Sequence, residues 1–466
     1  MSGAMLFIKK DLKISEVQVE ILAGILNICA LFGSLTAGRL SDAVGRRYTI
    51  TISSIIFFLG AALMGLAPNY ETLITGRCVA GIGVGYALMI APVYSAEISS
   101  TSHRGLLTSL PEMCISIGIL LGYVANVAFE KLPLIYSWRT MLGICGFPAL
   151  VLAYGVVYMP ESPRWLVLQG RLADARSVLR KVSNSEEEAE ERLQSIKVAA
   201  GIDAECEDDE MLRKAAESTA KGKGVWKEIF VRPKPTVKRI LVAAVGLHFL
   251  QHATGIEAIV LYSPRIFKAA GITSTHNLLM ATMGVGITKV VFILVVNCFS
   301  DRVGRRPLLL GSVFGMTVSH IIVAFGLLAV NNSERRLGWA VALSVLGVFC
   351  FIATYSMGLG PITWVYSSEI YPLRLRAQAA SIGVAVNRLT NAAMSMSFIS
   401  IYHALTISGT FFLFAGMGVV AWLFFYFLFP ETKGMPLEEV EKEFSYGWVY
   451  RKGRRMDDGN ELQAIP

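Results

Sequence analysis

Several polar side chains stand inside long apolar runs of this chain. The stretch "FLQHATGIEAIVLYSPRIF" (249–267) holds Gln251, His252, Thr254, Glu257 and Tyr262. Glu112 interrupts "LTSLPEMCISIGILLGY" (107–123), Trp364 stands in "GPITWVYSSEIYP" (360–372), and Asn387 and Arg388 share "GVAVNRLTN". Such a mixture of donors and acceptors suits the non-covalent recognition of a polyhydroxylated molecule. An aromatic face such as that of Trp364 suits a sugar ring or an alkyl chain. No nucleophile is paired with a base, so no enzymatic chemistry is expected. A polar group inside a hydrocarbon layer costs free energy unless it meets a partner or a water-filled cavity. Gln251, Thr254 and Glu257 recur at i, i+3 and i+6, and Thr254-Gly255 predicts a helix break whose freed backbone lines such a cavity. His252 reads equally well as a satisfied interior histidine. Glu112 has no obvious basic neighbour; it is expected either to bind substrate as a neutral acid or carry a proton, or to lie near a helix end paired with Arg104.

A second set of residues is charged and lies at the ends of the apolar runs. Asp42, Arg46 and Arg47 lie in "SDAVGRRYTI" (41–50), and Asp301, Arg305 and Arg306 in "SDRVGRRPLL" (300–309). Glu97 precedes Arg104 by seven residues, and Glu369 precedes Arg376 by seven. Glu161 and Arg164 belong to "MPESPRW", and Glu431 to "FPETKGM". All fall on one predicted side, where a lattice of ion pairs holds one conformation and releases in another. A pure orientation signal is the other reading.

These pairs of motifs repeat in order at nearly one offset: 259 residues for Asp42/Asp301, 272 for Glu97/Glu369 and 270 for Glu161/Glu431. Two homologous halves with a site between them follow. The 466 residues are 54% hydrophobic and 17% charged, too apolar for a soluble core of this size. Runs of roughly 20 residues match a ~30 Å hydrocarbon layer. They fall at 20–40, 48–67, 73–97, 106–128, 138–159, 240–268, 276–299, 308–330, 338–369, 376–400 and 408–429. Between the halves, 161–239 reads as short amphipathic helices, with Ser162-Pro163 as a start and Gly170 as a stop. Its acidic stretches, 186–191 and 203–210, read as a solvated face or mobile loop. It carries 16 Lys/Arg against 15 Asp/Glu, so the net charge of +8 comes from helix ends and the tail, as beside an anionic cytoplasmic leaflet. Seven scattered cysteines form no disulfide framework or metal site. The glycines of "TGRCVAGIGVGYALM" (75–89) lack a preceding strand and a G-K-[ST], so they signal close helix packing and not a nucleotide site.

"GRLSDAVGRR", "PESPRWL" and "PETKG" resemble the sugar-porter signatures of the major facilitator superfamily. "LYSPRIF", "GVAVNRLTN" and "FFLFAG" look most like the plant polyol/monosaccharide branch. The likeness covers essentially the whole chain. It implies an all-α polytopic membrane protein of two six-helix halves: 1–160 as the N-terminal bundle, 161–239 as a cytoplasmic linker, 240–429 as the C-terminal bundle and 430–466 as a cytoplasmic tail. It implies alternating-access transport of polyols or monosaccharides, with protons as partner in the family, no cofactor, no metal, no nucleic acid, contact with membrane lipid, and residence in the plasma membrane. It implies substrate contact for Gln251, His252, Glu257, Trp364, Asn387 and Glu112. At two positions the chain departs from the family: His252 stands for a second Gln and Glu257 for an Asn.

Five whole spans precede residue 161 and six follow residue 239. Before residue 20 stands only "MSGAMLFIKK", which reads as the outer end of a first helix with Lys9-Lys10 just outside the membrane. In proton-coupled relatives the resemblance pairs Arg77 with an Asp of a G-Y-D-x-x-x-x-S-G motif. Ser2-Gly3 match its end, so Arg77 is expected to lack that partner and coupling to be impaired. A non-transporting sugar sensor or an inactive product is the alternative expectation.

Overall fold

The computed structural model describes residues 1–98, 104–199, 234–333, 337–371, 376–433 and 444. The side chains of Arg104, Asp301 and Arg376, three expected lattice members, lie outside the described residues, as do 203–210 and nearly all of the tail.

The described elements are helices. After a short α1 (Ala4–Leu12) come the spans α2 (Glu16–Val44), α3 (Arg46–Gly65), α4 (Tyr70–Ile98) and α5 (Arg104–Ala128), and a fifth span built from α6 (Leu134–Gly143) and α7 (Gly146–Tyr158). Three short helices follow: α8 (Pro163–Leu168), α9 (Leu172–Val182) and α10 (Glu186–Ala199). The second half opens with the pair α11 (Pro235–Ala253) and α12 (Ile256–Ala269), then α13 (Thr275–Val303) and α14 (Arg305–Asn331). The pair α15 (Gly338–Met357) and α16 (Leu359–Ile370) precedes α17 (Arg376–Leu428). Ten of these stretches are long and apolar enough to cross a membrane. The last turns sharply at Thr406, with φ 65° and ψ 162°, and so contains two of the eleven expected spans. Helices begin a few residues before the apolar runs, because a capped polar first turn is helical without being hydrophobic. Ser15 closes a reciprocal capping box with Gln18 at the start of α2.

The linker helices bury their own small core of Leu166, Val167, Ala175, Val178, Leu179, Ala189 and Leu193. Ser162 caps α8 and Gly170, at φ 74°, follows it. The acidic run expected as a solvated face or loop is the first turn of α10, where three glutamates meet the positive end of the helix dipole. At the opposite side of the molecule, α1 packs on α6. Its Asp11 accepts hydrogen bonds from Trp138 Nε1 (2.9 Å) and Arg139 Nη1 (3.1 Å).

The duplicated motifs build the same corner twice, each within its own half. Arg46 meets Glu97 (3.1 Å) and Asp42 (3.1 Å), and Arg305 meets Glu369 (3.2 Å). Glu97 also accepts the Ser162 hydroxyl, and Glu369 accepts the Thr432 hydroxyl. Glu161 and Glu431 depart from the expected ion-pair role. Glu161 accepts the backbone N–H groups of Arg46 (2.9 Å) and Arg47 (3.2 Å), and Glu431 those of Arg305 (2.9 Å) and Arg306 (3.1 Å). They cap helix starts that have no N–H acceptor of their own. Arg47 and Arg306 turn away and donate to the carbonyls of Val157 and Tyr426. Arg164 also corrects the expectation. It is exposed and makes no ion pair among the described residues, because the first turn of α8 points it to solvent.

Each corner needs its glycine. Gly45 (φ 98°, ψ 165°) and Gly304 (φ 105°, ψ 159°) occupy backbone space that is essentially closed to other residues. A Cβ there would stand 2.4 Å from Glu161 Oε2 and 2.9 Å from Glu431 Oε2. Gly45→Ala or Gly304→Ala should therefore cost about 1–3 kcal/mol in backbone strain alone. The expected readout is a lower thermal midpoint of the detergent-solubilised protein, followed by fluorescence-detected gel filtration. An unchanged midpoint would remove the capping argument.

Candidate binding site between the halves

The expected break at Thr254-Gly255 is present. Helix α11 ends at Ala253, Gly255 takes a left-handed conformation (φ 86°, ψ 13°), and α12 restarts at Ile256. A break inside a membrane leaves backbone groups that must find partners. His320 of α14 supplies one: its Nε2 lies 2.9 Å from the Thr254 carbonyl and, since a carbonyl only accepts, must carry the proton. Phe351, Phe411 and Phe414 surround the His320 ring, and Phe414 also lies 2.7 Å from where a Gly255 Cβ would be. The Thr254 hydroxyl turns back onto the Gln251 carbonyl (3.1 Å), so it serves the break rather than the cavity.

Above the break a buried amide shelf forms. Asn387 Nδ2 of α17 donates to Gln251 Oε1 (2.7 Å), and Gln251 Nε2 donates to the Tyr355 hydroxyl (3.2 Å). Arg388 donates through Nε to Asn387 Oδ1 (3.0 Å), which leaves it oriented by the shelf. His248, one turn before His252, ties in Trp364. Its ring lies edge-on to the indole at 5.7 Å, and its Nε2 is 3.0 Å from the Ser367 hydroxyl. Gly383 makes room for it, since a Cβ there would stand 2.6 Å from His248 Cδ2. Trp364 Nε1 is buried without a hydrogen-bond partner. His252 Nδ1 lies 3.3 Å from Glu257 Oε1, and neither ring nitrogen has a hydrogen-bond partner. Trp364 Nε1 and both His252 ring nitrogens thus lack hydrogen-bond partners within the protein, a demand that the hydroxyls of a bound molecule can meet.

The structure brings Gln251, Asn387 and Trp364 into one connected group, and His252 to Glu257. Glu112 has a partner that was not expected. It is buried, and its Oε1 lies 3.3 Å from Lys289 Nζ of α13, so it has a basic neighbour after all. The two residues are far apart in the chain, which hid the pairing. Lys289 in turn lies 5.8 Å from the centre of the Tyr355 ring and so borders the shelf. Sequence reasoning missed His248, Tyr355 and Lys289. A signal existed for Lys289, the one charge between residues 276 and 299.

Arg77 is buried, and no carboxylate pairs with it among the described residues. It is not left bare: Nε and Nη2 donate to the carbonyls of Leu22 and Ala23 in α2, each at 3.1 Å. Two further contacts join the halves along α2 and α17. Asn27 donates to Asn391 Oδ1 (2.7 Å), and Glu20 accepts the N–H and hydroxyl of Ser400 (2.8 and 2.7 Å). At the end remote from the linker, Arg265 reaches Glu16 (2.6 Å) and His276 reaches Glu130 (2.5 Å).

Comparison with known proteins agrees with this architecture. The family model described as "Sugar (and other) transporter" matches residues 5–444. The Arabidopsis thaliana protein named "Probable polyol transporter 6" is 59% identical over 444 residues, covering 95% of this chain and 90% of that relative. Polyol transporter 5 of the same organism is 54% identical over 466 residues, covering 100% and 86%. Among solved structures, the major facilitator proton:xylose symporter XylE bound to 6-bromo-6-deoxy-D-glucose superposes with a TM-score of 0.76 at 26% identity, covering 95% of this chain and 94% of that one. A partially occluded inward-open form of the E. coli xylose transporter has the same fold, with a TM-score of 0.76 at 24% identity over 93% and 94%. On these matches the chain belongs to the sugar (and other) transporter family, with the major facilitator fold.

Proposed function

We propose that this membrane transporter carries polyols or monosaccharides by alternating access, with protons as co-substrate, in the plasma membrane. The observation that carries the substrate reading is the amide shelf with its neighbours. The buried Gln251, Asn387 and His252, with the half-buried Trp364 and Glu257, offer neutral donors, acceptors, one acid and an aromatic edge. Glu112 joins them from the other half. Substrate hydroxyls displace no covalent partner; they satisfy groups such as Trp364 Nε1 that the protein leaves unpaired. The names of the relatives, polyol transporters and a proton:xylose symporter, support both the cargo and the proton. Outward-facing apolar side chains such as Phe32, Leu59, Phe147 and Phe314, each at least half exposed, suit contact with lipid.

Rocking of the halves opens the site to each side in turn. The Arg46–Glu97 and Arg305–Glu369 corners keep each half rigid on the linker side and take part in the change of state.

Uptake of labelled sorbitol into proteoliposomes tests the substrate reading. Gln251→Ala deletes the hydrogen bonds to Asn387, Tyr355 and the Gly360 carbonyl and should raise KM by tenfold or more, about 1.4 kcal/mol per factor of ten. If correctly inserted protein moves no polyol or monosaccharide above control liposomes, transport of this class is refuted. Proton coupling predicts accumulation against a gradient when the outside is acid, abolished by a protonophore. Equal accumulation with and without the protonophore would leave only facilitated diffusion. A separate kinetic signature is expected of the corners: Arg46→Ala should lower Vmax several-fold with KM little changed, and a pure KM effect would place Arg46 in substrate binding instead. A fluorescent fusion seen only on an internal membrane would overturn the plasma-membrane assignment.

A further inference from the structure

One buried charge has no place in the reading above. Lys289 stands at the middle of α13, equally far from Thr275 and Val303, and is 5% exposed. Its ammonium meets Glu112 Oε1 at 3.3 Å, across the boundary between the halves. Gly286, one turn earlier, makes this approach possible: a Cβ there would stand 2.8 Å from the Tyr123 ring and 3.2 Å from the Leu120 Cα of α5. A buried ion pair contributes little to stability once both charges have left water. Ionisable residues at the centre of a membrane span therefore call for a functional account.

The surroundings suggest one. The ammonium has three donors, and Glu112 holds it as an ion pair. The Tyr355 ring lies 5.8 Å from Nζ, and the Tyr355 hydroxyl holds Gln251. An ammonium and a carboxylate side by side fit two adjacent hydroxyls, one accepting from nitrogen and the other donating to oxygen. The amide shelf cannot supply this charged pair of contacts.

We propose that Lys289 is a substrate-binding and specificity-determining residue. With Glu112 it grips a vicinal diol at one end of the substrate, while the shelf around Gln251 and Asn387 holds the rest. The assignment rests on the transport reading above and adds to it the substrate feature that is selected. An analogue lacking a hydroxyl of that diol leaves a buried charge short of a hydrogen bond, which a binding site rejects more strongly than the loss of apolar contact.

The test measures KM and Vmax for sorbitol and for a set of mono-deoxy hexitols in proteoliposomes, with wild type, Lys289→Met and the charge-neutral double variant Glu112→Gln/Lys289→Met. The double variant removes the risk that an unpaired Glu112 prevents folding and carries the same KM test. Sorbitol KM is expected to rise about tenfold to a hundredfold, the range for one hydrogen bond to a charged group. Vmax should stay within about threefold. The deoxy analogue that wild type rejects most should lose its disadvantage in the variants. A sorbitol KM within about twofold of wild type in inserted protein overturns the assignment alone. So does an equal rise for every analogue, which marks a merely structural role. A wild-type protein that moves none of these polyols overturns the transport reading and this assignment together.

Discussion

A helix interrupted inside a membrane leaves backbone groups that neither lipid nor helix can satisfy. The site in this protein depends on how that difficulty is met between α11 and α12. Gly255 reverses the chain and His320, from another span, donates to the Thr254 carbonyl. Three phenylalanines then hold the His320 ring in place. With the break stabilised from outside, the residues on either side are free to present polar side chains to one place. Gln251 and His252 come from the last turn of α11, and Glu257 from the first turn of α12. An unbroken helix would have spread them along its length.

The linker-side corners show how duplication preserves geometry more strictly than residue roles suggest. In both halves a glutamate from the end of the bundle caps the helix that follows the glycine, and the glycine lacks a Cβ where the carboxylate sits. The first arginine of each pair ties that helix to a neighbour through Glu97 or Glu369. The second arginine closes a carbonyl at the end of another span. Four orphaned or charged groups are thereby settled in one corner, which explains why the motif spacing recurs at nearly one offset.

The spans, the two halves, the helix break and the capped start of α8 were legible in the sequence, because hydrophobicity, glycine and capping residues act locally. Gln251, Asn387 and Trp364 were legible as polar or aromatic residues within apolar runs, and the family resemblance supplied the role proposed for them. The partners were not legible. Glu112 alone suggests a neutral acid; Lys289, distant in the chain, makes it half of an ion pair. Glu161 beside paired arginines reads as a salt bridge until backbone N–H groups are seen pointing at it. Arg77 reads as a cation in need of an anion, yet two helix carbonyls hold it. In each case the type and depth of the group followed from the sequence, while its partner came from tertiary packing.

The two seams between the halves differ in kind, and the difference bears on what each does. Along α2 and α17 the contacts are hydrogen bonds of amides, a hydroxyl and one carboxylate: Asn27 with Asn391, and Glu20 with Ser400. Along α5 and α13 the midplane contact is a full ion pair, bordered by the tyrosine that holds the amide shelf. Bonds of amides and hydroxyls exchange partners at modest cost as surfaces slide. A buried ion pair that opens without replacement leaves two unsolvated charges, a loss of several kcal/mol. The amide seam is thus suited to act as a hinge through the cycle. The charged seam favours moving only when something polar takes the place of each partner, and in the proposed grip on a vicinal diol the substrate hydroxyls would do that. Separation of the halves would then be easier with cargo than without it, the condition a transporter needs to avoid cycling empty.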